Sequence, residues 1–206
     1  MTPSFFLGRR AALRAGAALA LAGLLTGVTA GCQRKQLAFN STDVTGSDIG
    51  GDLNLTDHNG VKRGMADFRG KAVVVFFGFI QCPDVCPTTL ANFAEVMKRL
   101  GPEADKVQVV FVTVDPERDT AAVMKEYVTQ FDPRFLGLSG SAEDTARVAK
   151  SFKVFYAKVP GKEPGSYSMD HSAGIYIFDP KGNLRLYGRH TATPDALASD
   201  IKQLLD

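Results

Sequence analysis

Two cysteines separated by three residues form the part of this sequence that is best suited to chemistry. They lie in the segment Cys82-Pro83-Asp84-Val85-Cys86-Pro87, directly after the apolar run 72–80. Cysteines four positions apart at the start of a helix can turn both sulfurs to one side. Two neighbouring sulfurs can form a disulfide or bind a soft metal ion. The alternative, a pair of buried structural thiols, is less favoured because prolines and an aspartate are typical of a surface loop.

The flanking sequence places both cysteines between a strand and a helix. Residues 72–80 are apolar, many of them β-branched or aromatic, which predicts a strand buried on both faces. Apolar residues then recur with helical spacing, which predicts a helix over 87–100. The free N–H groups and the dipole at a helix N-terminus favour a thiolate over a thiol. The sequence therefore predicts two cysteines of lowered pKa in a surface loop.

The rest of the chain alternates between strand and helix patterns. Strands are predicted at 53–55, 107–114, 135–138, 154–159, 175–179 and 184–187, and further helices at 120–131, 142–152 and 193–205. This order predicts one α/β domain of thioredoxin-like fold, in which helices flank a mixed central sheet and further β elements are added at the N-terminus.

The first 31 residues have the composition of an export signal. Arg9, Arg10 and Arg14 precede an apolar stretch rich in alanine and glycine, and small residues lead up to Cys32. The order Ala30-Gly31-Cys32 resembles a bacterial lipobox, in which the cysteine is lipidated and becomes the mature N-terminus. An ordinary signal with an incidental cysteine and an uncleaved membrane anchor are the alternatives. All three place the following domain outside the cytoplasmic membrane, in the periplasm or on the outer face.

The export route and the domain boundaries complete the prediction for the N-terminal part. The paired arginines also resemble a twin-arginine signal, so the export route stays open. Residues 32–45 are polar and lack periodicity, which predicts a flexible tether, and 46–206 form the predicted domain.

Composition excludes some functions and favours chemistry at the two cysteines. The net charge is +2 and the basic residues are scattered, so no nucleic-acid partner is predicted. If Cys32 carries lipid, only Cys82 and Cys86 remain. A disulfide between them would close a five-residue loop and remove little chain entropy, so a purely structural bridge is disfavoured.

Three segments resemble one known family. They are Phe77-Gly78-Phe79 with the two-cysteine motif, Val114-Asp115-Pro116-Glu117-Arg118-Asp119-Thr120, and Asp170-His171-Ser172 with the stretch that follows to Gly182. In this combination the chain resembles the Sco/SenC family, membrane-tethered copper proteins of the thioredoxin superfamily. Ordinary thioredoxins space their cysteines by two residues, and peroxiredoxins have a Pro-x-x-x-Thr run that is absent here.

The resemblance implies a copper site and a client. Cys82, Cys86 and His171 would bind copper, as Cu(I) or Cu(II), and Cu(I) prefers thiolates and accepts an imidazole. The protein would receive copper from a periplasmic donor protein and metallate the dinuclear copper site of cytochrome c oxidase subunit II. Asp84 and Asp170 are candidates for orienting the ligands, although each equally suits a simple loop position.

Two other functions use the same cysteines. Cys82 and Cys86 could form the redox-active disulfide of a thiol–disulfide reductase that keeps the oxidase cysteines reduced, or the chain could be a copper or redox sensor. His171 favours the copper chaperone, because a dithiol reductase has no need of an imidazole there. His58 is predicted to lie in a solvated turn, His190 on the surface and Met169 in a packed position. Residues 115–120 are predicted to form a turn and a helix cap.

Overall fold

The structure is a computed structural model, and it describes residues 37–205. The predicted export signal and Cys32 lie outside the described residues. Between residues 37 and 205, no helix is both long enough and apolar enough to cross a membrane.

A mixed sheet of eight strands forms the centre of the fold. The strands are β1 Thr42–Asp43, β2 Leu55–Asp57, β3 Lys62–Arg63, β4 Ala72–Gly78, β5 Val107–Thr113, β6 Leu136–Ser139, β9 Gly174–Phe178 and β10 Leu184–Arg189. Their spatial order is β1-β10-β9-β4-β5-β6-β2-β3. Strands β4, β5 and β6 are parallel, and the other pairs are antiparallel. Two further strands, β7 Tyr156–Pro160 and β8 Tyr167–His171, form a separate antiparallel hairpin.

Helices cover both faces of the sheet. They are α1 Val85–Leu100, α2 Ala121–Thr129, α3 Ala142–Ser151 and α4 Pro194–Leu205, with short 3-10 helices at Met65–Phe68 and Gly101–Lys106. Side chains of β4 alternate between two cores: Val74 and Phe76 pack with α1, α2 and α4, whereas Val75 and Phe77 pack with α3. Because every residue of β4 is buried, this strand is the rigid base from which the cysteine segment leaves the sheet. The predicted thioredoxin-like α/β fold with added N-terminal strands is confirmed.

The folded unit extends further toward the N-terminus than predicted. Residues 38–45 were predicted to belong to the tether, but the compact unit begins at Ala38. The backbone N–H groups of Asn40 and Ser41 donate to the buried carboxylate of Asp200 in α4, at 2.7 and 2.8 Å. Strand β1 then pairs with β10. A two-residue strand and hydrogen bonds to a single aspartate leave no hydrophobic periodicity in the sequence, so the pattern could not reveal them.

Candidate metal centre

The two cysteines lie at the junction between the end of strand β4 and the start of helix α1. Cys86 is the second residue of α1, and its sulfur packs against the last residue of β4, Gly78. A Cβ at Gly78 would lie 2.6 Å from Cys86 Sγ and 2.7 Å from a ring carbon of Phe111, so only glycine leaves room for the sulfur. The N–H of Cys86 donates to Cys82 Sγ at 3.4 Å, which turns the first sulfur toward the second.

His171 comes from the hairpin and completes a three-residue cluster. It is the last residue of β8, and its Nε2 lies 3.7 Å from Cys86 Sγ. The ligand atoms of Cys82, Cys86 and His171 all lie within 4.8 Å of one another. The imidazole stands edge-on to the ring of Phe79, with 5.9 Å between ring centroids. The structure therefore brings together all three predicted ligands, and His171 ends a strand that was not among the predicted ones.

The imidazole is held in the form that can bind a metal. His171 Nδ1 lies 3.0 Å from the carbonyl oxygen of Ser172, and only an N–H can donate to a carbonyl. The proton therefore resides on Nδ1, and the lone pair of Nε2 faces Cys86. Burial lowers the pKa of His171, an effect that the Ser172 carbonyl and the charge of Asp170 partly oppose. The ring is therefore neutral at pH 7, as metal ligation requires.

Cys86 differs from its predicted state. The sequence predicted a low pKa in a surface loop, but Cys86 is 0% exposed and burial raises the pKa of its thiol well above the ordinary value. A hydrogen bond from the Phe79 backbone opposes this rise but is the smaller effect. Loss of water around the sulfur is the largest influence on this pKa. The metal-free Cys86 keeps its proton, and its S–H faces Nε2 of His171. Cys82 is only half-buried.

The donor set fits a soft metal ion. Metal–thiolate and metal–imidazole bonds of about 2.3 and 2.0 Å in a trigonal arrangement put the sulfur and nitrogen about 3.7 Å apart. The observed distance between Cys86 Sγ and His171 Nε2 is 3.7 Å. Two sulfurs and one imidazole nitrogen match Cu(I), which prefers thiolates.

The carboxylates predicted to orient the ligands are not the ones that do so. Asp84 and Asp170 are both exposed, and within residues 37–205 neither hydrogen-bonds a ligand atom. Asp84 accepts from Thr88 at 3.4 Å, and Asp170 acts on His171 only through its charge. The Ser172 carbonyl takes the orienting role for the imidazole.

Asp119 supports the cysteine loop, which comprises residues 79–84 between β4 and α1. This role was not predicted from the sequence. Its buried Oδ2 accepts hydrogen bonds from the N–H of Ile80 at 3.1 Å and from the hydroxyl of Thr113 at 2.6 Å. Burial raises the pKa of Asp119. The segment was predicted to be a turn and a helix cap, and Thr120 does cap α2 by accepting from the N–H of Val123. An aspartate just before a helix usually indicates a helix cap. The sequence therefore gives no sign that Asp119 also contacts the cysteine loop.

The remaining candidates lie outside the cluster. His58 follows β2, where its Nδ1 accepts from the N–H of Gly137 at 3.1 Å, so it is half-buried rather than solvated. His190 is exposed, as predicted. Met169 is buried in the core on the α3 side of the sheet, which confirms its packing role.

Comparison with known proteins shows which protein family this sequence matches. The model of the SCO1/SenC family matches residues 41–206. A mitochondrial SCO2 homologue from Bos taurus is 43% identical over 155 residues, which cover 74% of this chain and 58% of the relative. The chain thus spans less than two thirds of that relative's length.

Solved structures agree with this match. The copper-bound ScoI of Bradyrhizobium japonicum is 45% identical, with a TM-score of 0.70 over 76% of this chain and 99% of that one. A SCO1/SenC family lipoprotein from Bacillus anthracis is 27% identical, with a TM-score of 0.68 over 82% of this chain and 100% of that one. BsSco, a member of the Sco family of cytochrome c oxidase assembly proteins in which a disulfide switch was identified, shares the fold at 22% identity, with a TM-score of 0.60 over 79% of this chain and 96% of that one.

Proposed function

Because the chain belongs to the SCO1/SenC family, we propose that it is a copper chaperone, which binds one copper ion through Cys82, Cys86 and His171 and delivers it to cytochrome c oxidase. The 3.7 Å approach of Cys86 Sγ to His171 Nε2 carries the proposal. It joins donors that lie 85 residues apart in the sequence. The copper-bound ScoI supports the choice of metal, and BsSco supports the choice of client.

The protonation of Cys86 suits a protein that must release its cargo. Copper binding displaces the thiol proton, because the metal needs the thiolate. Since burial raises the pKa of Cys86, the proton competes strongly with the metal. Cys82 is the more exposed of the two cysteines, so an incoming client thiolate meets copper on the Cys82 side of the site. As the client takes the ion, Cys86 regains a proton and its hydrogen bond to His171.

Copper titration tests the ligand set. The reduced, metal-free protein should bind one Cu(I), and Cys82→Ser, Cys86→Ser and His171→Ala should each weaken binding by orders of magnitude. His58→Ala and His190→Ala are matched controls, because neither residue belongs to the cluster. Affinity is measured by competition with a calibrated Cu(I) chelator. Wild-type affinity in His171→Ala would falsify the three-ligand site.

The proposed client is the dinuclear copper site of oxidase subunit II, and a periplasmic donor protein supplies the copper. Copper-loaded protein is mixed with the reduced, metal-free soluble domain of subunit II, and the dinuclear centre is followed by its visible absorption. The signal should grow with wild type and stay absent with His171→Ala. Equal growth with both proteins would contradict transfer through this site.

A dithiol reductase is the second candidate, because a half-exposed Cys82 lies beside a buried Cys86 and both are free. Cys82 would attack the client disulfide, and Cys86 would then displace the client's second thiol to leave a Cys82–Cys86 disulfide. His171→Ala separates the two functions, since it should abolish copper transfer and leave thiol exchange intact. If cells with His171→Ala assemble normal oxidase while cysteine variants fail, the reductase is the function.

The membrane tether is the last part of the proposal. Lipidation of Cys32 would hold the domain at a membrane on the periplasmic or outer face, and the lipoprotein from Bacillus anthracis supports this arrangement. Cys32→Ser should move the protein from the membrane fraction to the soluble fraction and abolish labelling with a fatty-acid analogue. A variant that stays in the membrane fraction would indicate an uncleaved anchor instead.

A further inference from the structure

The hairpin that carries His171 has no backbone ladder to the central sheet. In the described part of the chain, β7 and β8 pair only with each other. At the base of the hairpin, Ser172 N–H donates to the carbonyl of Phe155 at 2.9 Å. A two-stranded hairpin has little stability of its own, so side-chain contacts must fix its orientation. The position of His171 relative to the cysteines therefore depends on those contacts.

Arg118 supplies such a contact to both ligand-bearing segments. Its Nη1 donates to the side-chain oxygen of Gln81 at 2.7 Å and to the carbonyl of Tyr167 at 2.9 Å. Gln81 directly precedes Cys82, and Tyr167 is the first residue of β8. One guanidinium thus ties the cysteine loop to the strand that ends in His171.

Further contacts fix the guanidinium in place. Its Nε donates to the buried carboxylate of Asp115, and its central carbon lies 3.7 Å from the centroid of the Tyr167 ring. The Tyr167 hydroxyl donates to the other oxygen of Asp115 at 2.9 Å. Arg118 and Tyr167 are therefore locked together by stacking and by one shared carboxylate. A planar guanidinium with several N–H donors can stack on the ring and bond the carboxylate at the same time, whereas an ammonium group cannot.

We propose that Arg118 is a positioning residue that holds the hairpin, and with it His171, against the segment that carries Cys82. The inference rests on the proposed copper site, because it assigns Arg118 a role only in bringing the third ligand to the two sulfurs. Removing a group that orients a ligand typically weakens metal binding by about 10 to 100-fold.

Arg118→Gln is the test variant, made in the full chain. It keeps much of the length and polarity of the side chain and removes the charged fork. Its Cu(I) affinity should fall by about 10 to 100-fold. Arg118→Lys should not restore it, since lysine cannot bond Gln81, Asp115 and the Tyr167 carbonyl together. Lys158→Gln is the matched control: Lys158 lies 4.6 Å from the same Tyr167 ring and pairs with the exposed Glu117. It should bind copper like wild type.

A double-mutant cycle shows whether Arg118 acts through His171. In the His171→Ala background, Arg118→Gln should cause no further loss of affinity, because there is no imidazole left to position. In the Cu(II)-loaded protein, Arg118→Gln should reduce the nitrogen hyperfine coupling of the imidazole in the electron paramagnetic resonance spectrum and retain the sulfur-to-copper absorption. A merely structural role would not separate these two signals.

The outcomes distinguish this inference from the proposed function. If His171→Ala itself binds copper like wild type, the three-ligand site fails. If that site holds but Arg118→Gln binds within twofold of wild type, or loses as much affinity with His171 absent as with it present, the positioning role is overturned. Should Arg118→Gln not fold, Tyr167→Phe replaces it, since it removes only the hydroxyl bond to Asp115. It should weaken copper binding by about 10-fold, the lower end of the range for such groups, in the wild-type background and not at all in His171→Ala.

Discussion

Gly78 decides whether the Cys86 sulfur can reach the site, and Gly78→Ala tests this directly. The backbone at Gly78 suits any residue, so the effect of an added methyl group is steric. The new Cβ would lie 2.6 Å from Cys86 Sγ, and ordinary contact begins at 3.4 Å, so the sulfur must move by about 0.8 Å (3.4 − 2.6). The Phe111 ring must shift by a similar amount, because its nearest carbon lies 2.7 Å away.

Such overpacking has two consequences. A methyl group forced into a packed core costs about 1 to 3 kcal/mol of unfolding free energy. In a domain of this size that lowers the melting temperature by roughly 2 to 4 °C for each kcal/mol. Ligand sets tolerate displacements of only about 0.5 Å, so copper affinity should also fall, by about tenfold or more. Both effects are measurable, by urea unfolding and by chelator competition.

Gly188→Ala is the matched control. Gly188 lies in strand β10, and a Cβ there would have its nearest neighbours at 3.5 Å, which is ordinary contact. The substitution should leave stability unchanged or raise it slightly, and copper affinity should not change. The cost of Gly78→Ala should also shrink in a Cys86→Ala background, where the sulfur is gone. Equal stability and copper affinity in the Gly78 and Gly188 variants would refute the steric reasoning.

Three further predictions follow from the site and its supports. Because burial raises the pKa of Cys86, copper must displace a proton when it binds. The logarithm of the Cu(I) affinity should therefore rise by at least about one unit per pH unit between pH 6 and 8. A flat pH profile of the affinity from chelator competition would contradict this. Asp119→Ala removes the acceptor of Ile80 N–H and the Thr113 hydroxyl and should cost about 1 to 3 kcal/mol in urea unfolding, whereas the exposed Asp170→Ala should stay within about 0.5 kcal/mol. A chain that begins at residue 46 loses strand β1 and the N–H donors to Asp200, so it should be less stable than one that begins at 37 by about 1 to 3 kcal/mol in urea unfolding. Equal midpoints would show that β1 is dispensable.

The sequence, with its likeness to a known family, predicted the fold class and three candidate ligands that the structure brings together. A short apolar run rich in β-branched and aromatic residues favours a strand buried on both faces, and the helical spacing after it places the cysteines between a strand and a helix. These signals are local, so they were predictable for β4 and α1 to within a few residues. The likeness of the Asp-His-Ser segment to a known family then identified His171, which no periodicity would have selected.

Tertiary structure alone decided the state of those ligands and the groups that hold them. The pKa of Cys86 is raised by burial. That burial results from the packing of β4, Phe111 and α1 around the sulfur, which the sequence next to Cys86 does not reveal. His171 Nδ1 lies against a backbone carbonyl, and Arg118 bonds both Gln81 and Tyr167, whereas within residues 37–205 neither adjacent aspartate hydrogen-bonds a ligand atom. A neighbour in sequence can point into solvent, whereas residues far apart along the chain meet only once the sheet has formed. That is why cysteine spacing and the likeness to a known family identified the candidate donors, and only the folded chain showed which groups surround them.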